Sequence, residues 1–336
     1  VAGVLAMVLS EQNLLDLSRG TDFYIIIPYH HTHTVSQTLS NRSGIGHYET
    51  YPDIEGDYAT ALDAVKKLWN IGLVYQPGMV YKYSTHAYTF AGASMEGATG
   101  KPIASIVNDY LAAPHNLSTL RVEDRGDANP NRSLLYKDGQ EVTPDDLTWK
   151  VLGGGLESSA YDLARFGIML LDGTILPPGA LAAMWTPPDT LGGCGGMAQL
   201  SGEYALGWCT GTHSGTRAVL KTGVQNGARS FLLIYPDKGI VIAVLRNTRS
   251  GESDKVWPAA EIGKLMLAQV PTSASQYDQN RLAVTLTDPV EEPDDEGLDA
   301  ADVVWPVSNP TVDPSPEDLE EPGDTIFEIF LPLIMR

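Results

Sequence analysis

The opening run VAGVLAMVLSEQNLLDL sets apolar side chains at Val4, Leu5, Met7, Val8, Leu14 and Leu15. That recurrence predicts a buried helix ending near Asn13. Phe23–Pro28 is a short apolar run closed by proline and predicts a strand or extended segment, whereas 38–51 reads as loop. Residues 57–72 predict an amphipathic helix with Leu62, Val65 and Leu68 or Trp69 facing inward. Residues 84–100 are rich in small side chains and end in Gly100, which suits a tightly packed core helix. The polar stretch 122–147 is connection. After the glycines at 153–155, a Ser159-x-x-Asp162 capping box opens a helix that turns Leu163, Phe166 and Leu170 inward. Strand candidates follow at 203–210, 216–222, 229–235 and 239–246, with Asp237-Lys238-Gly239 as a hairpin turn, and then a helix over 256–268.

Helices, then an antiparallel meander, then a closing helix predict an α+β architecture with the helices on one face of a sheet, not a doubly wound fold. No period of about 20–50 residues recurs, so no repeat architecture is indicated. The expected organisation is a mainly helical region over 1–200, a sheet with its C-terminal helix over 201–270 in the same domain, and a tail over 271–336. That tail is dense in proline and carboxylates and is expected to be disordered, because it cannot bury enough apolar surface to offset its ordering entropy. Its last ten residues, 327–336, are apolar and suited to docking as a strand or on a partner protein.

Charge sharpens this division. The chain has 336 residues and a formal net charge of −20, from 42 Asp/Glu against 22 Lys/Arg. The tail holds sixteen of the acids and two of the bases, leaving 26 acidic and 20 basic residues in 1–270. A nearly neutral body without a basic stripe excludes a nucleic-acid partner, since phosphate binding needs clustered cations. No apolar run reaches the length of about 18 residues that a membrane span requires. Cys194 and Cys209 are compatible with either a disulfide or two buried thiols.

Candidate chemistry is sparse when residues are taken singly. Lys221-Thr222-Gly223 ends a strand, where a fixed ammonium and a hydroxyl can hold a carboxylate and glycine lets a substrate lie against the strand edge. A solvated lysine at a strand end would look the same. Tyr83 opens the small-residue helix, where a nearby ammonium would push its phenol toward the phenolate and fit it for general-base work; a packing tyrosine is the plainer alternative. His30, His31 and His33 have a spacing that can ligate a metal, but nothing elsewhere completes a site. The cysteines lack zinc or redox spacing, and the sequence implies neither a metal nor a cofactor.

Read in order, LSNRSGIGHY (39–48), YQPGMVYKYSTHAYTFAG (75–92), VLGGGLESSAYDLARFGIMLLDG (151–173), YALGW (204–208) and VLKTGVQNGARSFLLIYPDKGIVIAVLRN (219–247) resemble successive blocks of the β-lactamase-related serine hydrolases. This family includes class C β-lactamases, D-alanyl-D-alanine peptidases and esterases, and the resemblance is to its LACTB-like branch, over about residues 1–268. It implies a β-lactamase/transpeptidase-like fold, with an all-helical region beside an antiparallel sheet flanked by helices. It also implies an acyl-enzyme route to an amide, ester or β-lactam carbonyl. By the same resemblance Tyr83 and Lys221 are catalytic and Thr85, Thr222, Gly223 and Val224 bind substrate, the Val224 N–H as an oxyanion donor. The expected partner is a small molecule or peptide bearing a carboxylate.

The departures are informative. No serine is followed three residues later by lysine, so the nucleophile motif S-x-x-K is absent from the chain. Glu11–Leu17 resembles the segment that follows this motif in relatives, which would put the missing lysine about two or three residues ahead of Val1. The expectation is therefore a truncated hydrolase, inactive as it stands, without the family's first strands and poorly soluble because of an unpaired sheet edge. The alternative is a pseudoenzyme that binds through its cleft and acidic tail. Thr85 and Asn41 stand where relatives often have Asn and His. Cell-wall substrates would place the parent protein outside the cytoplasm.

Overall fold

A computed structural model describes residues 1–269 apart from 28–30, 49, 53, 55, 125, 127–128, 189–192, 195–199 and 251–257. His30, the 271–336 tail and its apolar end lie outside the described residues. All the described residues belong to one unit.

The helical region is built around two helices that have no solvent face. In α1 (Ala2–Glu11) every residue from Ala2 to Leu9 is buried, the placement expected of a helix that is apolar all round. Asn13, with φ 58°, turns the chain out of it. In α4 (Thr85–Thr99) residues 85–95 are buried, Ser84 caps the start by accepting the Ala87 N–H, and Gly100 ends it with φ 68°. Around them lie α2 (Val35–Leu39), capped by Thr34 and Gln37, and α3 (Ala61–Leu68), capped by Thr60 and shorter than the pattern over 57–72 suggests. The Glu96 carboxylate of α4 accepts the N–H groups of Leu62 and Ile103, each at 3.2 Å. It thereby ties α3 to α5 (Ile103–Val107), which runs on through a π turn to Ala112. Phe23–Pro28 is no strand over its described part. Thr21–Phe23 is a 3-10 turn, and only Ile25 is buried, with Phe23 63% and Ile26 91% exposed, so the run has one anchor and not a face.

Short pairings occupy the connection: β1 (Arg121–Val122) with β4 (Leu156–Glu157), and a β2 (Tyr136–Lys137) to β3 (Gln140–Glu141) hairpin. Next come α6 (Val151–Gly154), α7 (Ala160–Leu171) and α8 (Pro178–Trp185). Ser159 caps α7 as expected, but the Asp162 carboxylate turns instead to Thr119, accepting its N–H at 2.8 Å and its hydroxyl at 2.6 Å.

The main sheet has five antiparallel strands in sequential order, β5 (Ser201–Tyr204), β6 (Cys209–His213), β7 (Thr216–Gln225), β8 (Ala228–Tyr235) and β9 (Ile240–Arg246). The candidate over 203–210 is thus two strands folded across a tight turn in which Gly207 takes φ 81°. Beyond β9, β10 (Thr248–Arg249) pairs in parallel with β2. Val219, Leu232, Ile234, Val241 and Ala243 face the helical core, whereas Leu220, Phe231, Leu233, Tyr235 and Ile242 face a second cluster that includes Ala259 of α9 (Pro258–Gln269). Helices therefore cover both faces of the sheet, not one. The continuous apolar runs FLLIY and IVIAV are the pattern of strands buried on both sides. Cys194, just before β5, is disulfide-bonded to Cys209 at the start of β6, with Cα atoms 5.7 Å apart.

Candidate active site

A loop and a helix start are laced together to present Tyr83. Asn41 adopts the left-handed conformation, with φ 56°, which asparagine tolerates better than most residues. Its carbonyl accepts the Lys82 N–H at 2.8 Å, and its side-chain oxygen accepts the Ser84 N–H at 3.0 Å. The Arg42 and Gly44 carbonyls accept the N–H groups of Gly78 and Val74 at 2.7 and 2.8 Å. The Ser84 hydroxyl donates to the Gly46 carbonyl at 2.7 Å, and the Thr85 N–H donates to His47 Nδ1 at 3.3 Å. With both of its neighbours pinned, Tyr83 projects outward and is 37% exposed.

Lys221, half-buried on β7, meets this tyrosine. Its Nζ lies 5.9 Å from the centroid of the Tyr83 ring and donates to the Thr222 carbonyl at 3.1 Å. Burial pulls the Lys221 pKa down, the neighbouring Tyr204 and Tyr83 push it up, and the net shift is upward. Beneath it the Tyr204 and Tyr88 hydroxyls are 2.8 Å apart, and Tyr88 donates to the Leu39 carbonyl at 2.8 Å. Burial raises both phenols well above their ordinary value and keeps them neutral. Arg42, itself buried, donates to the Ser40 and Tyr204 carbonyls, each at 2.8 Å, and stacks over Tyr81.

The other expected binding residues spread along the same wall. Thr85 is buried against α6, where a Cβ on Gly153 would come within 2.9 Å of its methyl group. Thr222 and Gly223 face Phe231 and Ser230 across the β7–β8 ladder, and the Ser230 hydroxyl fills the space a Gly223 side chain would need. Val224 is 47% exposed at the outer end. Gln225 ties β7 to α6 by donating from Nε2 to the Gly154 carbonyl at 3.2 Å. Tyr83 and Lys221 are thus brought together, with Thr85 behind the first and Thr222–Val224 continuing from the second. Asn41, Arg42, His47, Tyr88 and Tyr204 also build the site, and sequence reasoning assigned none of them a role.

His31 and His33 serve packing. His31 stacks on Phe90 with centroids 5.1 Å apart. His33 Nδ1 lies 3.2 Å from the Thr21 hydroxyl and 3.1 Å from that of Thr38. Burial, with His31 beside it, lowers the His33 pKa to about 3. Among the described residues no group of three or more His, Cys, Asp or Glu is placed to hold a metal.

Residues 1–263 match the family model described as Beta-lactamase. The chain belongs to the beta-lactamase family. It is 25% identical over 238 residues to the human mitochondrial serine beta-lactamase-like protein LACTB, covering 57% of this chain and 42% of that protein. It is 25% identical over 227 residues to an unguisins hydrolase of Aspergillus campestris, covering 64% and 42%. It is 26% identical over 232 residues to penicillin-binding protein 4 of Amycolatopsis lactamdurans, covering 64% and 60%. The match thus spans less than two thirds of the length of each of these relatives. The family fold is shared with a D-stereospecific amidohydrolase from Streptomyces, at TM-score 0.65 and 23% identity over 78% of this chain and 84% of that one. A D-amino acid amidase from Ochrobactrum anthropi has TM-score 0.64 and 20% identity over 80% and 88%. Among the described residues no helix is long and apolar enough to cross a membrane.

Proposed function

We propose that this beta-lactamase-family cleft is the proton-transfer and substrate-holding half of a serine hydrolase that acts on an amide, ester or β-lactam carbonyl through an acyl-enzyme. The observation that carries the reading is the Tyr83–Lys221 contact, made where the 41–47 loop, α4 and β7 converge. Lys221 anchors a substrate carboxylate, with the Thr222 hydroxyl beside it. Tyr83 relays the proton between nucleophile and leaving group, Thr85 supports it, and the Val224 N–H polarises the carbonyl where β7 runs past Gly223. The serine and lysine of S-x-x-K are not among the 336 residues.

On this reading 1–200 and 201–270 work as one domain and 271–336 is an acidic appendage. The Cys194–Cys209 disulfide suits an oxidising compartment. The resemblance to an unguisins hydrolase supports a hydrolytic role. The test is covalent labelling of the complete gene product with a fluorophosphonate and a fluorescent penicillin, beside the 336-residue chain. Labelling of the longer protein, lost in Tyr83→Phe and Lys221→Met and absent from the shorter chain, is the expected result. No labelling of either by either probe overturns the reading and leaves a family pseudoenzyme.

A further inference from the structure

The wall of the cleft holds a second cation, Lys150, immediately ahead of α6. Its Nζ lies 4.5 Å from the Trp149 ring centroid and 5.8 Å from that of Tyr48, and donates to the Tyr48 hydroxyl at 3.5 Å. The Tyr48 ring is 3.9 Å from that of His47, and His47 meets Tyr83 edge-on at 5.4 Å. Tyr83 in turn lies under Lys221 at 5.9 Å. Tyr48, His47 and Tyr83 therefore form one row of rings with a lysine at each end. The far end is held in place as firmly as the near one. Gly153 packs on Thr85, and the Gly154 carbonyl accepts from Gln225, so α6 is fixed to both α4 and β7.

The partners of Lys150 differ from those of the ion-paired lysines. Lys66, Lys101 and Lys264 meet carboxylates at 2.8, 2.6 and 2.9 Å, from Asp63, Asp109 and Glu261. Among the described residues Lys150 has no carboxylate partner; it has two aromatic faces and one neutral hydroxyl. Those are weaker partners for an ammonium than a carboxylate, and they leave it oriented. Tyr48 is 44% exposed, so the ring that carries the cation is itself open to a ligand. Two ring-to-ring contacts separate this cation from Tyr83, a stretch that a peptide of a few residues covers.

We propose that Lys150, backed by Tyr48 and Trp149, is a specificity-determining anion subsite that selects short peptides carrying a second carboxylate remote from the one anchored at Lys221. The inference rests on the cleft being the substrate site and deepens that reading by naming the substrate class. Binding tests it without requiring turnover. Calorimetric dissociation constants are measured on the complete gene product for N-acetyl-Glu-Ala-Ala and N-acetyl-Gln-Ala-Ala, in both stereochemical series and at low salt. The acidic peptide is expected to bind about five-fold more tightly in at least one series, an advantage that shrinks in high salt. Lys150→Gln should erase that ratio and Lys150→Arg restore it, whereas Lys221→Met should weaken both peptides and leave the ratio standing. Equal affinities in the wild type, a ratio that survives Lys150→Gln, or no binding of either peptide overturns the proposal. A ratio that behaves as expected in a protein that takes no covalent label would sustain the subsite and refute the hydrolase reading alone.

Discussion

Asn41 is where the conformation of the cleft can be tested most sharply, because one side chain meets two separable demands. Its oxygen accepts the N–H of Ser84, which is wholly buried, and its backbone sits at φ 56°. Asn41→Ala leaves the Ser84 N–H without this acceptor, at about 1–3 kcal/mol, and strains the left-handed backbone by about 1–2 kcal/mol. Removing Asn41 Nδ2, buried without a hydrogen-bond partner among the described residues, returns part of that. The net expectation is a loss of about 3 kcal/mol. Asn41→Gly loses the same hydrogen bond but relieves the φ, offset by about 0.4–1 kcal/mol of extra unfolded-state entropy. Glycine should therefore be the milder substitution by about 1 kcal/mol, although alanine is the closer residue in size. Urea unfolding of the three proteins, read by circular dichroism at a common m-value, measures the differences. Hydrogen exchange at the Ser84 amide reports whether the clamp on Tyr83 has opened. Alanine and glycine variants of equal stability, or an alanine variant indistinguishable from the parent, would refute the assignment of both roles to Asn41.

Two further outcomes follow from the fold. The Cys194–Cys209 bridge closes a loop with a sequence separation of 15, so its reduction should cost about 3 kcal/mol. Intact mass and thermal melts with and without reductant measure this, and unchanged melting after complete reduction would discard it. Acid should act through two buried histidines: burial lowers His33 to about 3 and His86 to about 4, helped by His31 in the first case and by His47 and Lys150 in the second. Because both folded values lie below the unfolded one of about 6.5, the stability from keeping them neutral is full above that pH and is lost as pH falls, by about 2 kcal/mol each at pH 5. His86→Leu should remove about half of that histidine contribution, and a variant with the parent's full pH slope between 7.5 and 5 would show that His86 is not responsible.

Signals spanning a few residues were legible in the sequence, and those joining distant segments were not. Ser84, Ser159, Gly100 and Gly239 mark helix and hairpin ends because capping and positive φ are local demands. Even so, the Ser159 box is only half local, since the Asp162 carboxylate goes to Thr119, 43 residues away. The 203–210 run reads as one strand because nothing in Ala205-Leu206-Gly207-Trp208 announces a turn except Gly207, whose N–H is shared between the Ala205 carbonyl and the distant Leu39 carbonyl. Tyr83 and Lys221 were singled out through ordered motifs, and the structure brings them into contact. Asn41 was visible only as a departure from the usual residue; its reason is a backbone angle. Lys150, Tyr88 and Arg42 carried no local signal, because their partners Tyr48, Tyr204 and the Tyr204 carbonyl are 102, 116 and 162 residues away.

The charge distribution gives these long-range contacts a common meaning. The chain has nearly two acidic residues for each basic one, yet Lys221 and Lys150 meet rings, a hydroxyl and a carbonyl, and no carboxylate among the described residues. A lysine so served bears a desolvation cost that a neighbouring carboxylate would offset, as Asp63, Asp109 and Glu261 do for Lys66, Lys101 and Lys264. A carboxylate of the protein at either place would instead occupy the position of an anionic ligand and repel it. Both lysines stand beside the same row of rings, and the backbone clamp that holds Tyr83 also fixes His47 within that row. On the proposed reading, the anions that complete these two cations belong to a ligand. The excess acid, concentrated in 271–336, lies in sequence apart from the residues that form the cleft.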